Sequence, residues 1–595
     1  MTVSIQQSRY VNVFPRNRIR QVLTRMRRED VGKIDESLGK EIAVREGIRG
    51  LLVCGIGRIG EEYLLTAQLV DPRTSSTVYS GAARASGKDE VLGALEKLAN
   101  DVRGQLGESL GSIVSENLPL PQATTSSLEA LKAFAQSSRA HGTESKSLLL
   151  QAVELDPDFA LAHVNLGMLY YSGGEAVQGE EHFKKAVSLM DRLTIREKLW
   201  IRAIVADWRG DREQGIEKYR TYLAQYPDDT YAWFRLGYSY LITSRSDEAI
   251  EAFQRVLTLD PRESAAVLNI ATAYNAMNRN EEALASYEKA FEMEPEYLTG
   301  SNIAREYGFL LVKMGQPENA AQVFERMTSL ENSTPRGQGH RSLALLDMYL
   351  GRYGAAGEHL RQAIAINRAA GYGLSELRDR LFLATVYEVK EDGASFNREM
   401  NEILRLIEKI RPAPVWLLVA GRTAARHGRQ KDAKLMLKMM SSTLGDPTAR
   451  SGINRSNRRD MAAYNLLKGE IALATNQCEA AIDLFQTADG LSKDYANESL
   501  ALTYFRMGDM AKAVEAYRRF LGQDVLGQEA QQEWILAHYQ LGRIYEKTGE
   551  TATAREYYRR FLDFWEEGDE DLAPIIDARR RLGNGPKQGT PAVIN

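Results

Sequence analysis

Residues Thr230–Pro295 read TYAWFRLGYSYLITSRSDEAIEAFQRVLTLDP and then RESAAVLNIATAYNAMNRNEEALASYEKAFEMEP. The two blocks superimpose with a shift of 34 residues: Trp233 on Val267, Leu236 on Ile270, Gly237 on Ala271, Tyr240 on Tyr274, Ala249 on Ala283, Phe253 on Tyr287 and Pro261 on Pro295. Trp233, Leu236 and Tyr240 fall on one face of a first helix. Gly237 lies on that face, where only a small residue lets a second helix close in. Ala249 and Phe253 lie four apart on that second helix and pack back. Pro261 cannot continue a helix, so it ends the block. A single hairpin of this kind cannot bury its apolar face and must stack on neighbours.

This period and this alternation of large and small residues resemble the tetratricopeptide repeat, two antiparallel helices per unit. The implied fold class is mainly α: a tetratricopeptide α-solenoid, a right-handed superhelix of helix pairs. We expect about twelve units over residues 128–566. The first ends at Leu155–Pro157. Others carry Gly167 with Phe183, Gly308 with Phe324, Gly469 with Phe485 and Gly542 with Tyr558. The eighth, roughly residues 376–411, keeps only Leu383, Ala384 and Tyr387 clearly. The polar run 445–460 reads as a long loop. Residues 567–595 read as a C-terminal cap with a disordered tail.

Residues 1–115 do not repeat. Ile19, Val22, Leu23 and Met26 stripe a first helix, and 35–46 reads as a second. Leu51–Ile59, Tyr63–Val70 and Thr77–Ala83 read as three strands. Ser86 with Asp89 predicts a capping box for a long helix striped by Val91, Leu92, Leu95, Leu98 and Val102. The expectation is a small α/β domain with a three-stranded meander, then a linker over 116–127. Ser126 with Glu129 predicts the cap of the first repeat helix.

The run RGLLVCGIGRIGEEYLLTAQLVDPRTSSTVY resembles the small α/β module, related to the amino-terminal domain of TolB, of bacterial signalling proteins. There it precedes tetratricopeptide repeats, in some cases in transmembrane serine/threonine kinases. The join ATTSSLEALKAFAQSSRA resembles the start of the repeats in the kinase-linked members. The module's usual first strand and helix read as clipped here. The resemblance implies an alternative role as the separated sensory part of such a kinase-type protein. No H-R-D, D-F-G or A-P-E accompanies it.

The chain has 595 residues, a net charge of −4 and 44% apolar residues, so no bulk field favours nucleic acid and the composition is that of a packed protein. No run of about 18 apolar residues and no signal peptide is evident, so a cytoplasmic location is expected, or a periplasmic one if the N-terminus is truncated. Cys54 and Cys478 read as ordinary buried residues. Gly55, Gly57 and Gly60 match G-x-G-x-x-G, but a strand pattern follows where a phosphate cradle needs a helix, so a hairpin turn is expected. Arg16, Arg18, Arg20, Arg25, Arg27 and Arg28 make a basic helix, read as a solvated face; nucleic-acid regulation through it is the weaker third reading. Histidine spacing suggests no metal. We therefore expect no catalytic residue, cofactor or metal.

What remains is the groove. In the tetratricopeptide family, ligand-facing residues lie at the second, fifth, ninth and twelfth positions of the first helix. Carried onto this chain they are Val164, Met168 and Tyr171; Tyr231, Phe234, Tyr238 and Leu241; and Leu268, Thr272 and Asn275. Aromatic and aliphatic side chains dominate, so the Lys/Asn carboxylate clamp of the chaperone-binding members is not expected. The reading is a non-enzymatic scaffold that binds a protein or peptide in its concave groove.

Overall fold

The computed structural model describes residues 5, 8, 11, 13, 14, 19, 22, 23, 25–28, 34–109, 113, 125, 127–138, 140, 142–173, 175–299, 301–444, 458–493 and 495–583. Among them are three strands and 27 helices. The chain divides into two compact units, 1–286 and 287–595.

The first unit opens with α1 (Glu36–Arg45), capped by Asp35, whose carboxylate accepts from the Leu38 amide. Next come β1 (Leu51–Ile59), β2 (Glu62–Val70) and β3 (Thr77–Ala85), an antiparallel sheet in the order β1-β2-β3. Ile59 pairs with Glu62, so Gly60-Glu61 is a two-residue turn, and Gly60 has φ +65°. The glycine motif is therefore strand and turn, with no helix behind it. A residue with positive φ is what such a tight hairpin demands. The α2 helix (Val91–Gln105) covers the sheet with Val91, Leu98, Ala99 and Val102, packed on Leu65 and Ala67. Its predicted capping box does not form. A 3₁₀ turn, Lys88–Glu90, precedes α2, and the Ser86 amide donates to Glu90 Oε2 at 2.9 Å.

Of the basic segment, Arg16, Arg18 and Arg20 lie outside the described residues. Arg25 pairs with Glu46 and Arg28 with Glu41, while Val22 and Leu23 pack on Leu38 and Ile42. Glu46 also pairs with Arg262 at 2.9 Å, which ties this region to the repeats. Cys54 is exposed and Cys478 half-buried, so neither is the buried residue expected.

The helical part of the first unit follows as α3 (Leu128–Ser137), α4 (Gly142–Leu155), α5 (Ala160–Ser172), α6 (Ala176–Ser188), α7 (Ile195–Trp208), α8 (Arg212–Gln225), α9 (Thr230–Ile242), α10 (Ser246–Leu259) and α11 (Ser264–Ala276); the division falls inside α12 (Asn280–Met293). The α3 cap is Ser127, whose Oγ accepts from the Ala130 amide at 3.1 Å. Ser126 lies outside the described residues, as does most of the 116–127 linker.

The second unit continues with α13 (Ser301–Lys313), α14 (Pro317–Thr328), α15 (Ser333–Tyr349), α16 (Tyr353–Ala369), α17 (Gly373–Val389), α18 (Gly393–Ile410), α19 (Pro414–Arg426), α20 (Gln430–Leu444), α21 (Arg458–Ala474), α22 (Cys478–Leu491), α23 (Asn497–Met507), α24 (Met510–Leu521), α25 (Gln531–Lys547), α26 (Thr551–Phe564) and α27 (Ala573–Arg581). The region of the weakest repeat, 376–411, is a long helix pair, α17 and α18. Residues 445–457 and the tail from 584 lie outside the described residues.

One contact explains the repeat. Gly167, Gly237, Gly308, Gly469 and Gly542 each face the aromatic ring of Phe183, Phe253, Phe324, Phe485 and Tyr558 respectively. These rings come from the second helix of the same pair, and all five are buried. A Cβ at Gly308 would lie 2.2 and 2.4 Å from ring atoms of Phe324. Gly308→Ala should therefore cost about 1–3 kcal/mol through overpacking, read as a lowered unfolding midpoint. A midpoint equal to or above that of the wild type would mean the two helices are not closed on this contact.

Candidate functional site

The predicted groove residues all belong to the first unit. Val164 is fully buried and Leu268 is 8% exposed, so these two are core and not lining. Phe234 is half-buried and meets the Phe253 ring edge-on at 5.4 Å; Leu241 packs on the same core. Met168 packs on the neighbouring core cluster. Thr272 is half-buried with its Oγ1 bonded to the Leu268 carbonyl, and Asn275 is half-buried. Only Tyr231, at 44%, and Tyr238, at 38%, are exposed among the ten.

A contiguous strip does form, through two residues that the positional rule omits. Tyr171 on α5 lies 6.4 Å, ring to ring, from Trp208 at the end of α7. The Arg235 guanidinium on α9 sits 5.6 Å from the Trp208 ring and 5.7 Å from that of Tyr238. Tyr231, Arg235 and Tyr238 follow at i, i+4 and i+7, so they share one helix face. The strip Tyr171–Trp208–Arg235–Tyr238 thus crosses three successive first helices. Burial pushes the Tyr231 phenol up even though much of its side chain is accessible.

Beneath the strip lies Asp207, whose side chain is fully buried. Its carboxylate accepts from Arg235, Arg212 and Ser239, with the Tyr219 hydroxyl at 3.5 Å. Burial, reinforced by Asp207, pushes the Tyr219 phenol well up, so it stays a neutral donor. Asp207 is thus shared between Arg235 and Arg212, one carboxylate for two guanidiniums, and the planar face of Arg235 lies near the Trp208 and Tyr238 rings. Neighbouring cations are paired as well: Arg209 with Glu180, Arg196 with Asp229 and Arg245 with Glu248. The missed residues had a faint signal, since Arg235 stands between two predicted tyrosines on one helix face.

In the second unit the first helices carry a cover from the same unit. Asp524 pairs with Lys313 of α13, and Gly527 packs on the Phe309 ring. Gln531 donates to the Leu345 carbonyl of α15 at 2.9 Å. Glu529 pairs with Arg378 of α17, and Glu533 with Arg422 of α19. Trp565, fully buried, packs on Gly351 and the Tyr353 ring.

Among the described residues, no three His, Cys, Asp or Glu side chains lie close enough to hold a metal ion. No described helix is long and apolar enough to cross a membrane.

The chain carries tetratricopeptide repeats. Two sequence profiles of that repeat match it, one over residues 202–264 and 498–569, the other over 240–296. No curated protein sequence matches. Among solved structures, it is similar to a tetratricopeptide repeat protein from Parabacteroides merdae, at 16% identity over 47% of this chain and 99% of that one, with a TM-score of 0.32. It is also similar to MamA from Desulfovibrio magneticus RS-1, at 19% identity over 29% of this chain and 96% of that one, TM-score 0.25. The human IFIT1 dimer with m7Gppp-AAAA aligns at 15% identity over 70% of this chain and 93% of that one, TM-score 0.34.

Proposed function

We propose that this protein is a scaffold whose first unit binds an extended peptide segment of another protein along Tyr171, Trp208, Arg235 and Tyr238, with Tyr231 at its flank. The observation that carries this reading is the pair of exposed tyrosines, Tyr231 and Tyr238, on one face of α9. Exposed aromatic patches on folded proteins mark interaction sites, and aromatic anchors dominate interface energetics. The rings of Tyr171, Trp208 and Tyr238 around Arg235 favour a segment that presents aromatic, aliphatic or prolyl side chains at this point.

The test is quantitative affinity capture with the wild type and with Tyr231→Ser/Tyr238→Ser, followed by direct titration of the captured protein. The double variant should bind at least about thirtyfold more weakly, the scale of one hot-spot contact. Its melt should match that of the wild type, since Trp233, Leu236 and Tyr240 are untouched. Equal affinity with an intact melt would place the partner elsewhere and sink the reading. Phe234 is left alone because its ring is part of the core.

A further inference from the structure

Four of the seven histidines form two pairs with the same geometry. His163 on α5 and His182 on α6 approach Nδ1 to Nδ1 at 2.9 Å. His340 on α15 and His359 on α16 do the same at 3.3 Å. Both pairs span 19 residues and join the first and second helices of one repeat. The positions are equivalent. His163 and His340 each lie four residues before the small residue at the helix crossing, Gly167 or Ala344. His182 and His359 each lie one residue before the large residue that packs there, Phe183 or Leu360.

The bonds around the first pair assign its protons. His163 Nε2 lies 3.0 Å from the Pro157 carbonyl, so that nitrogen carries hydrogen and Nδ1 of the neutral ring is an acceptor. His182 Nδ1 must then be the donor. In the second pair His359 Nε2 lies 3.8 Å from Asp347 Oδ2, beyond hydrogen-bond reach, and either ring can supply the shared hydrogen. One added proton can enter either pair and leave its bond in place, because one ring still offers a lone pair. A second proton leaves two N–H groups facing each other across about 3 Å, with no acceptor and with like charges.

We propose that the two pairs are matched acid-sensitive clasps, each holding the two helices of its repeat together with at most one proton and releasing them on the second. Other charged groups face the first pair. Asp156, Asp158 and Lys185 lie near His163, and Glu181 near His182; Lys185 is itself paired with Asp158. Tyr170 stacks on His182 at 5.3 Å and carries Lys146 over its other face. Arg336 faces His340, and Asp347 near His359 is already paired with Arg352. The surroundings reinforce the clasp: burial is the main influence holding His163, His182 and His340 below the ordinary imidazole range, and the positive partner ring adds to it for His182 and His340. The folded chain thus resists protons that the unfolded chain accepts. Folding is then fully supported above the ordinary value of about 6.5 and is progressively weakened as pH falls below it.

The test uses the full chain and the variant His182→Gln/His359→Gln, in which an amide can still donate or accept at the clasp but cannot titrate. Thermal unfolding is followed from pH 7.5 to 5.0. At pH 7.5 the two midpoints should agree within about 2 °C. At pH 5.0 the wild-type midpoint should have fallen roughly 5 °C further than that of the variant. The other histidines are common to both proteins and cancel. In parallel, NMR titration of the wild-type rings should show each pair protonating in two steps, the second below the ordinary range. Parallel midpoint curves in the two proteins, or rings that titrate singly and independently near 6.5, would overturn the proposal. The wild-type titration decides the question even if the variant fails to fold.

Discussion

Arg426→Ala should destabilise the second unit by about 3–5 kcal/mol at neutral pH, the range seen when one partner of a buried ion pair is removed. Arg426 closes α19 and spans two further first helices. Its Nε and Nη2 donate to Glu470 of α21 at 3.0 and 2.7 Å, and its Nη1 and Nη2 to Glu498 of α23 at 3.1 and 2.6 Å. The side chain of Glu470 is 1% exposed and that of Glu498 13%. Burial works against the Glu470 carboxylate, yet Arg426 outweighs it and holds the group below the usual range. Without the guanidinium, two carboxylates face each other in a poorly solvated site, and Ser499 alone still donates to Glu470.

The sign of the pH response then reverses. In the wild type the lowered Glu470 contributes stability above the ordinary carboxylate range and loses it only in strong acid. In the variant the carboxylate is raised by burial, so stability is regained as pH falls from 7 toward 5. Chemical unfolding at both pH values checks this. A penalty that stays constant with pH, or one below about 1 kcal/mol, would mean that the triad is solvated. Arg426→Met with Glu470→Leu and Glu498→Leu should recover most of the loss, because a buried ionic cluster replaced whole costs little.

Asp207→Ala should have an effect of similar size in the first unit, again about 3–5 kcal/mol. The carboxylate is fully buried and takes Arg235, Arg212 and Ser239 at once. Its removal leaves the Arg235 guanidinium, 16% exposed within the strip, and that of Arg212 without their shared counter-charge. Two readouts separate packing from charge. Asp207→Asn keeps the shape and should still lose most of the stability, since a neutral amide cannot balance Arg235. The same variant should shift partner preference toward acidic segments, because the strip then carries an uncompensated cation. If Asp207→Asn melts like the wild type, the hub is held by shape alone and the charge argument for the strip fails.

The 34-residue period is local chemistry, and local chemistry is legible in a linear chain. Gly237 with Phe253, and the same spacing at Gly308, Gly469 and Gly542, announce a helix pair because both partners belong to one hairpin. The strands and the Gly60 turn were readable for the same reason: alternation and a tight loop are decided within about twenty residues. The capping box at Ser86 did not form, and the first repeat helix takes its cap from Ser127, because a cap depends on where the first helical turn closes, and propensity places that only to within a residue or two.

Tertiary structure decided the rest. Val164 and Leu268 satisfy the positional rule for the groove, yet each is sealed by packing that the rule cannot register. Trp208 and Arg235 join the strip because Asp207 draws a guanidinium across from the next repeat, 28 residues on. The cover on the second unit rests on pairings such as Tyr353 with Gln532, 179 residues apart. The histidine pairs share a 19-residue spacing within one hairpin, but only the folded side chains show that Nδ1 meets Nδ1 in each. Periodicity determines which residues form helices and which face is apolar. Exposure and charge compensation are sums over distant neighbours, and those sums exist only once the chain has folded.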